Sequence, residues 1–116
     1  VRVGGIAAQR TRAAAPVVVA ALAAYANTLA NGFVFDDLQN VVGNRWITSP
    51  RFLGEIVSTH AAGFDRGYWT SFYRPLMHVL FMVTHAVFGL RPAGFHLVNM
   101  LLHAGNSLLV YLIAIR

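Results

Sequence analysis

The chain has 116 residues, 57% of them hydrophobic and 11% charged, with nine arginines, no lysine, four acidic residues and a formal charge of +5. That balance excludes an ordinary soluble domain and indicates a membrane chain, while arginines dispersed from Arg2 to Arg116 exclude a nucleic-acid surface, which would gather them on one polar face. The absence of cysteine removes disulfides, zinc thiolates and thiol nucleophiles from consideration.

Residues 1–12 carry Arg2, Arg10 and Arg12 without an acid and read as a cytoplasmic N-terminal segment. The apolar run 13–35 follows, long enough to be a first transmembrane helix, since about 20 residues cross a hydrocarbon core of about 30 Å. A basic start, the apolar stretch Pro16 to Ala23 and the triplet Ala24-Tyr25-Ala26 also imitate a secretory signal. Two later apolar segments favour a multispanning protein over that reading. The run ends at Gly32-Phe33-Val34-Phe35-Asp36-Asp37, which holds two of the four acids. An ionisable pair at a membrane edge is costly and is a functional hypothesis by default.

Residues 36–72 read as an extracytoplasmic loop. Ser49-Pro50 is a helix start, a hydroxyl cap with proline at the first helical position. A helix over about 49–62 would place Phe52, Leu53, Ile56, Val57 and His60 on one side and Arg51, Glu55, Ser58 and Thr59 on the other, an amphipathic helix for the membrane interface. The loop is expected to have too few residues to form a core of its own. Trp46, Phe64, Tyr68, Trp69, Phe72 and Tyr73 then serve as a headgroup belt.

A second transmembrane helix is expected over 73–90, a tight turn over 91–94, and a third transmembrane helix over 95–115, after which the chain looks truncated at Arg116. Ser71, His78 and His85 recur every seven residues on the second helix; His96, Asn99, His103, Asn106 and Ser107 share a face of the third. Two histidine-bearing helices invite a haem or metal reading. Histidine and asparagine in spanning helices more commonly hydrogen-bond across helix interfaces, so His78, His85, His96, Asn99, His103 and Asn106 are read as packing stripes that expect further helices. The fold expected is an all-α membrane protein, a fragment of a larger multispanning fold.

With the N-terminal arginines cytoplasmic, Asp36 and Asp37 emerge at headgroup level on the opposite side, although Arg45, Arg51, Arg66 and Arg74 then also lie outside. Arg74, beside the N-terminus of the second helix, is either a phosphate contact or a snorkelling interface anchor. The aspartate pair is either catalytic or a solvated helix end. In the catalytic reading one carboxylate deprotonates an acceptor hydroxyl and the other orients it, or binds acceptor or metal.

The ordered set Asn31-Gly32-Phe33-Val34-Phe35-Asp36-Asp37, Asn44, Tyr73-Arg74-Pro75-Leu76, Phe88-Gly89, Pro92-Ala93-Gly94-Phe95-His96-Leu97-Val98-Asn99 and Leu101-Leu102-His103-Ala104 resembles a known N-terminal region. It is similar to that of the membrane glycosyltransferases of the C-type superfold, closest to the transmembrane and tetratricopeptide-repeat proteins and their bacterial relatives, which are akin to protein O-mannosyltransferases. The resemblance implies a hexosyltransferase that moves a sugar from a polyprenyl-phosphate donor to a hydroxyl of a protein or glycan. It implies an active loop on the lumenal or periplasmic side, read here as periplasmic in a bacterial inner membrane, with Asp36 and Asp37 as the acidic catalytic motif and Arg74 as the donor phosphate contact. Related enzymes have lysine or histidine followed by two prolines where this chain has Arg74 and one proline. A divalent metal is the one cofactor left open. The rival reading is a noncatalytic membrane subunit that packs on partner helices through its histidine and asparagine stripes.

Overall fold

The computed structural model describes residues 3–65, 67 and 69–115, without the side chains of residues 3, 4, 6, 7, 10 and 11. Arg2, Arg66, Tyr68 and Arg116, and the side chain of Arg10, lie outside the described residues. The described residues are helical or irregular, with no strand. The chain forms two compact units, Val1–Ala30 with His96–Arg116, and Asn31–Phe95.

The first unit contains α1 (Val3–Tyr25), continued by a 3-10 segment over Ala26–Ala30, and most of α4 (Pro92–Ala114). Pro16 falls inside α1; a proline costs a helix one donor, a loss that membrane helices tolerate. The windows Arg12–Ala30 and Pro92–Ala114 are long and apolar enough to cross a membrane, with only 6% and 11% of their residues buried. A core helix of a soluble protein would be mostly covered, so these apolar surfaces require a nonaqueous surrounding. Tyr25 meets His103 edge to face, with ring centroids 4.8 Å apart.

The second unit is built on α3 (Pro75–Phe88), 14 residues or about 21 Å at about 1.5 Å per residue. Alone it falls short of a hydrocarbon core of about 30 Å. Against it pack a 3-10 turn over Arg45–Thr48 and the short helix α2 (Leu53–Ser58). The loop has a core after all, contrary to the sequence-based expectation. Val41, Trp46, Ile47, Phe52, Ile56 and Phe64 are buried together with Met82 and Phe95. Trp46 is fully buried; its indole N–H donates to Glu55 Oε2 at 2.9 Å, and the same carboxylate pairs with Arg45 at 2.5 Å. Trp46 and Phe64 are therefore core residues and not part of a headgroup belt, whereas Trp69, Phe72 and Tyr73 stay exposed.

The helix expected over about 49–62 is shorter and less regular. Ser49 caps a 3-10 turn over Pro50–Phe52 by accepting from the Arg51 N–H at 3.4 Å, and α2 then ends at Ser58. It stops because tertiary bonds take the next backbone groups: the Ala61 N–H donates to the Phe72 carbonyl at 2.8 Å, and the Tyr73 hydroxyl donates to the Val57 carbonyl at 2.6 Å. Phe52 and Ile56 turn inward, which leaves Leu53 and Val57 as the exposed apolar side.

α3 ends where the sequence supplies glycine. The Gly89 N–H donates to the His85 carbonyl at 2.8 Å, with φ at 63° and ψ at −154°. That backbone region is essentially reserved for glycine, so Gly89→Ala should destabilise the protein by about 1–3 kcal/mol. A denaturation midpoint in detergent equal to that of the parent would show that the turn carries no such strain. Gly94 is needed for another reason: a Cβ there would sit 2.5 Å from Phe88 Cβ and Cγ. The close approach lets Phe95 meet Phe33 and Phe81 edge to face, at 5.5 and 5.8 Å.

Candidate functional site

The two aspartates begin a helical turn that continues as a π-helical turn over Leu38–Val42. The turn is closed locally. The Asp37 N–H donates to the Val34 carbonyl at 3.0 Å, and Asp37 Oδ2 accepts from the Val34 N–H at 3.2 Å. Phe35, inside this turn, has φ of 46° and is 90% exposed. A non-glycine residue in the left-handed region is uncommon and strained. The consequence is a division of labour that sequence alone left open. Asp37 turns Oδ2 back to its own turn, while the Asp36 carboxylate forms no hydrogen bond or ion pair with the described residues and Asp36 lines a cleft.

The cleft, about 240 Å³, is lined by Asp36, Gln39 and Asn40 from one wall, Ala61 and Ala62 from a second, Thr70 and Phe72 from a third, and Arg74 and Met77 from α3. Arg74 immediately precedes α3, whose first residue is Pro75. Its guanidinium lies 4.6 Å from the centre of the Phe72 ring and has no carboxylate partner among the described residues. Proline at the first position has no N–H, and the next backbone amides of the first turn have no intrahelical acceptors. Arg74, at the start of α3, and Asp36 thus line the same hollow with no ion pair between them. An anion held by Arg74 and a hydroxyl presented to Asp36 would share one space.

The histidine and asparagine stripes separate. His78 is 1% exposed, and both ring nitrogens are engaged by the loop: Nδ1 lies 3.0 Å from Asn44 Nδ2 and Nε2 lies 2.8 Å from the Ala61 carbonyl. It serves its own loop instead of a partner helix. His85, half-buried, contributes its carbonyl to the Gly89 bond. In the first unit, His96, Asn99 and His103 join Tyr25, Thr28 and Met100 around a mostly apolar hollow of about 220 Å³. His96 Nε2 is buried there without a hydrogen-bond partner among the described residues. Asn106 is exposed and does not line that hollow.

Gln39, Asn40, Thr70 and Met77 had no signal in the sequence beyond their proximity to Asp36 or Arg74. Among the described residues, no three His, Asp or Glu side chains converge as ligands for a metal. A divalent ion at Asp36 would have one protein carboxylate and would need phosphate oxygens and water to complete its shell.

Comparison with known proteins gives the relationship. Protein O-mannosyl-transferase Tmtc1 of Drosophila melanogaster is 37% identical over 93 residues, covering 78% of this chain and 11% of the relative. The human protein O-mannosyl-transferase TMTC2 is 37% identical over 92 residues, 72% of this chain and 10% of the relative. This chain is a relative of the TMTC protein O-mannosyl-transferases. The human TMTC4 protein agrees, at 34% identity over 93 residues, 78% of this chain and 13% of the relative. The chain spans about a tenth of the length of these relatives. No family model and no solved structure matches it. The relationship and the two long, uncovered apolar helices together make it a membrane protein.

Proposed function

We propose that this chain supplies the donor-phosphate and base corner of an integral-membrane glycosyltransferase, a hexosyltransferase that uses a polyprenyl-phosphate sugar. The observation that carries the reading is the single cleft lined by both Asp36 and Arg74. Arg74 and the first turn of α3 hold the donor phosphate, leaving the sugar's anomeric carbon toward the Asp36 wall. Asp36 takes the proton of an acceptor hydroxyl as its oxygen bonds to that carbon; the bond from carbon to phosphate oxygen breaks, and polyprenyl phosphate leaves with the electron pair. The names of the relatives favour a protein hydroxyl as acceptor.

The cleft faces the extracytoplasmic side, periplasmic in a bacterial inner membrane, where Arg12 marks the cytoplasmic end of the first span. α3 is a third span whose shortness is met by local bilayer thinning. An isolated chain of this length holds part of an active site, so the activity belongs to the assembled full-length protein. The test is transfer of labelled sugar from a panel of polyprenyl-phosphate sugars by full-length protein in proteoliposomes. Labelled acceptor is expected with at least one donor. Transfer from nucleotide sugars alone would overturn the donor assignment.

A further inference from the structure

The four walls of the cleft are fastened to one another by a single run of hydrogen bonds. Asn44 Nδ2 donates to the Asn40 carbonyl at 2.8 Å and lies 3.0 Å from His78 Nδ1, while its Oδ1 accepts from the Trp46 N–H at 3.0 Å. A carbonyl can only accept and a backbone N–H only donate, so these neighbours fix which end of the Asn44 amide is nitrogen. The amide nitrogen faces His78 Nδ1, which must therefore be the bare, accepting nitrogen. On the other side, Nε2 lies 2.8 Å from the Ala61 carbonyl and must carry the proton. Ala61 in turn donates its N–H to the Phe72 carbonyl at 2.8 Å.

Asn40, Ala61 and Phe72 line the cleft on its three loop walls, and His78 stands on α3 one residue after Met77 and one turn after Arg74. Asn44 and His78 are 2% and 1% exposed, and the Trp46 and Phe64 rings meet the His78 ring edge to face at 5.0 and 5.8 Å. The Asn44 and His78 side chains are thus closed off from bulk water, with two aromatic rings packed on the imidazole.

We propose that the Asn44–His78 pair is the positioning device of this site, holding the Asp36 wall at a fixed separation from the Arg74 helix. Neither residue lines the cleft. Both act on the geometry of groups that do. The inference rests on the transferase reading for its catalytic consequence and on the hydrogen-bond geometry alone for its structural one.

These 116 residues contain no cysteine, so in a full-length protein whose remaining cysteines are replaced by serine the labels can be placed at will. Spin labels on cysteines introduced at Leu38 and Leu76, both exposed and beside the Asp36 and Arg74 walls, report the wall separation in the full-length protein in bilayers. The parent and His78→Gln, which can accept from Asn44 and donate to Ala61, should give one narrow distance; His78→Leu should broaden it at unchanged helix content. With turnover counted per donor-binding site, His78→Leu should lose transfer on the order of 100-fold at unchanged donor KM, the effect of a misplaced reacting pair, and His78→Gln should recover most of it. A narrow distance in His78→Leu overturns the proposal. Should that variant fail to fold, nitrogen-15 NMR of the parent decides: a proton on His78 Nε2 and none on Nδ1 supports the network, and the reverse tautomer overturns it. Broadening in His78→Leu together with an inactive parent supports the positioning device and strikes the transferase reading alone.

Discussion

Asp36→Asn should abolish sugar transfer by the full-length protein, whereas Asp37→Asn should leave it within about threefold of the parent. The difference follows from what each carboxylate touches. Asp36 has no bond to the described residues and lines the cleft; as the base it should account for about 10²- to 10⁴-fold in rate, and an amide of the same shape cannot take a proton. Asp37 accepts the Val34 N–H that closes its turn, a task for which asparagine is about as good as aspartate. Asp37→Ala removes that acceptor, so it should cost about 1 kcal/mol of stability and not the chemistry. The measurement is initial transfer rate at saturating donor and acceptor, normalised to membrane-inserted protein. Full activity in Asp36→Asn with none in Asp37→Asn would exchange the two roles, and full activity in both would remove the pair from the reaction.

The adjacency of the aspartates was plain in the sequence, and their separation into one carboxylate that lines a cleft and one that bonds back to its own turn was not. It depends on Phe35 at φ of 46°, a conformation for which sequence reasoning looks to glycine, and the neighbouring glycine at position 32 lies outside the turn. Apolar length made the two long helices legible, because about 20 apolar residues have few other uses. The loop was misread for a complementary reason. Aromatic density fits a membrane interface and a small core equally well, and Trp46 chooses the core because Glu55, nine residues on, can meet its indole N–H. His78 shows the same limit. Its seven-residue spacing from His85 placed it on a helix face, while its actual partners lie 34 and 17 residues away in the chain. Periodicity reports which residues share a face; it does not report what folds back onto that face.

Arg74→Ala should raise the KM for a polyprenyl-phosphate donor by about 10- to 100-fold, the range corresponding to about 1.5–3 kcal/mol of charge-assisted hydrogen bonding to a phosphate. The KM for the acceptor should stay within about twofold, because the loss is of a donor contact shared by ground state and transition state. Arg74→Lys should fall between the two, since an ammonium keeps the charge and loses the two-pronged fit of guanidinium to phosphate. The competing role, an interface anchor whose charge snorkels to the headgroups, predicts something else. An anchor is replaceable by lysine, and its loss changes the amount of inserted protein while each inserted molecule binds donor as before. The present geometry favours the donor contact, because the guanidinium lies over Phe72 at 4.6 Å and Arg74 lines the cleft directly before the first residue of α3. Donor titrations of the three proteins at matched insertion separate the readings: a donor KM unmoved in Arg74→Ala leaves Arg74 an anchor, and the phosphate would then have to be held by the first turn of α3 without it.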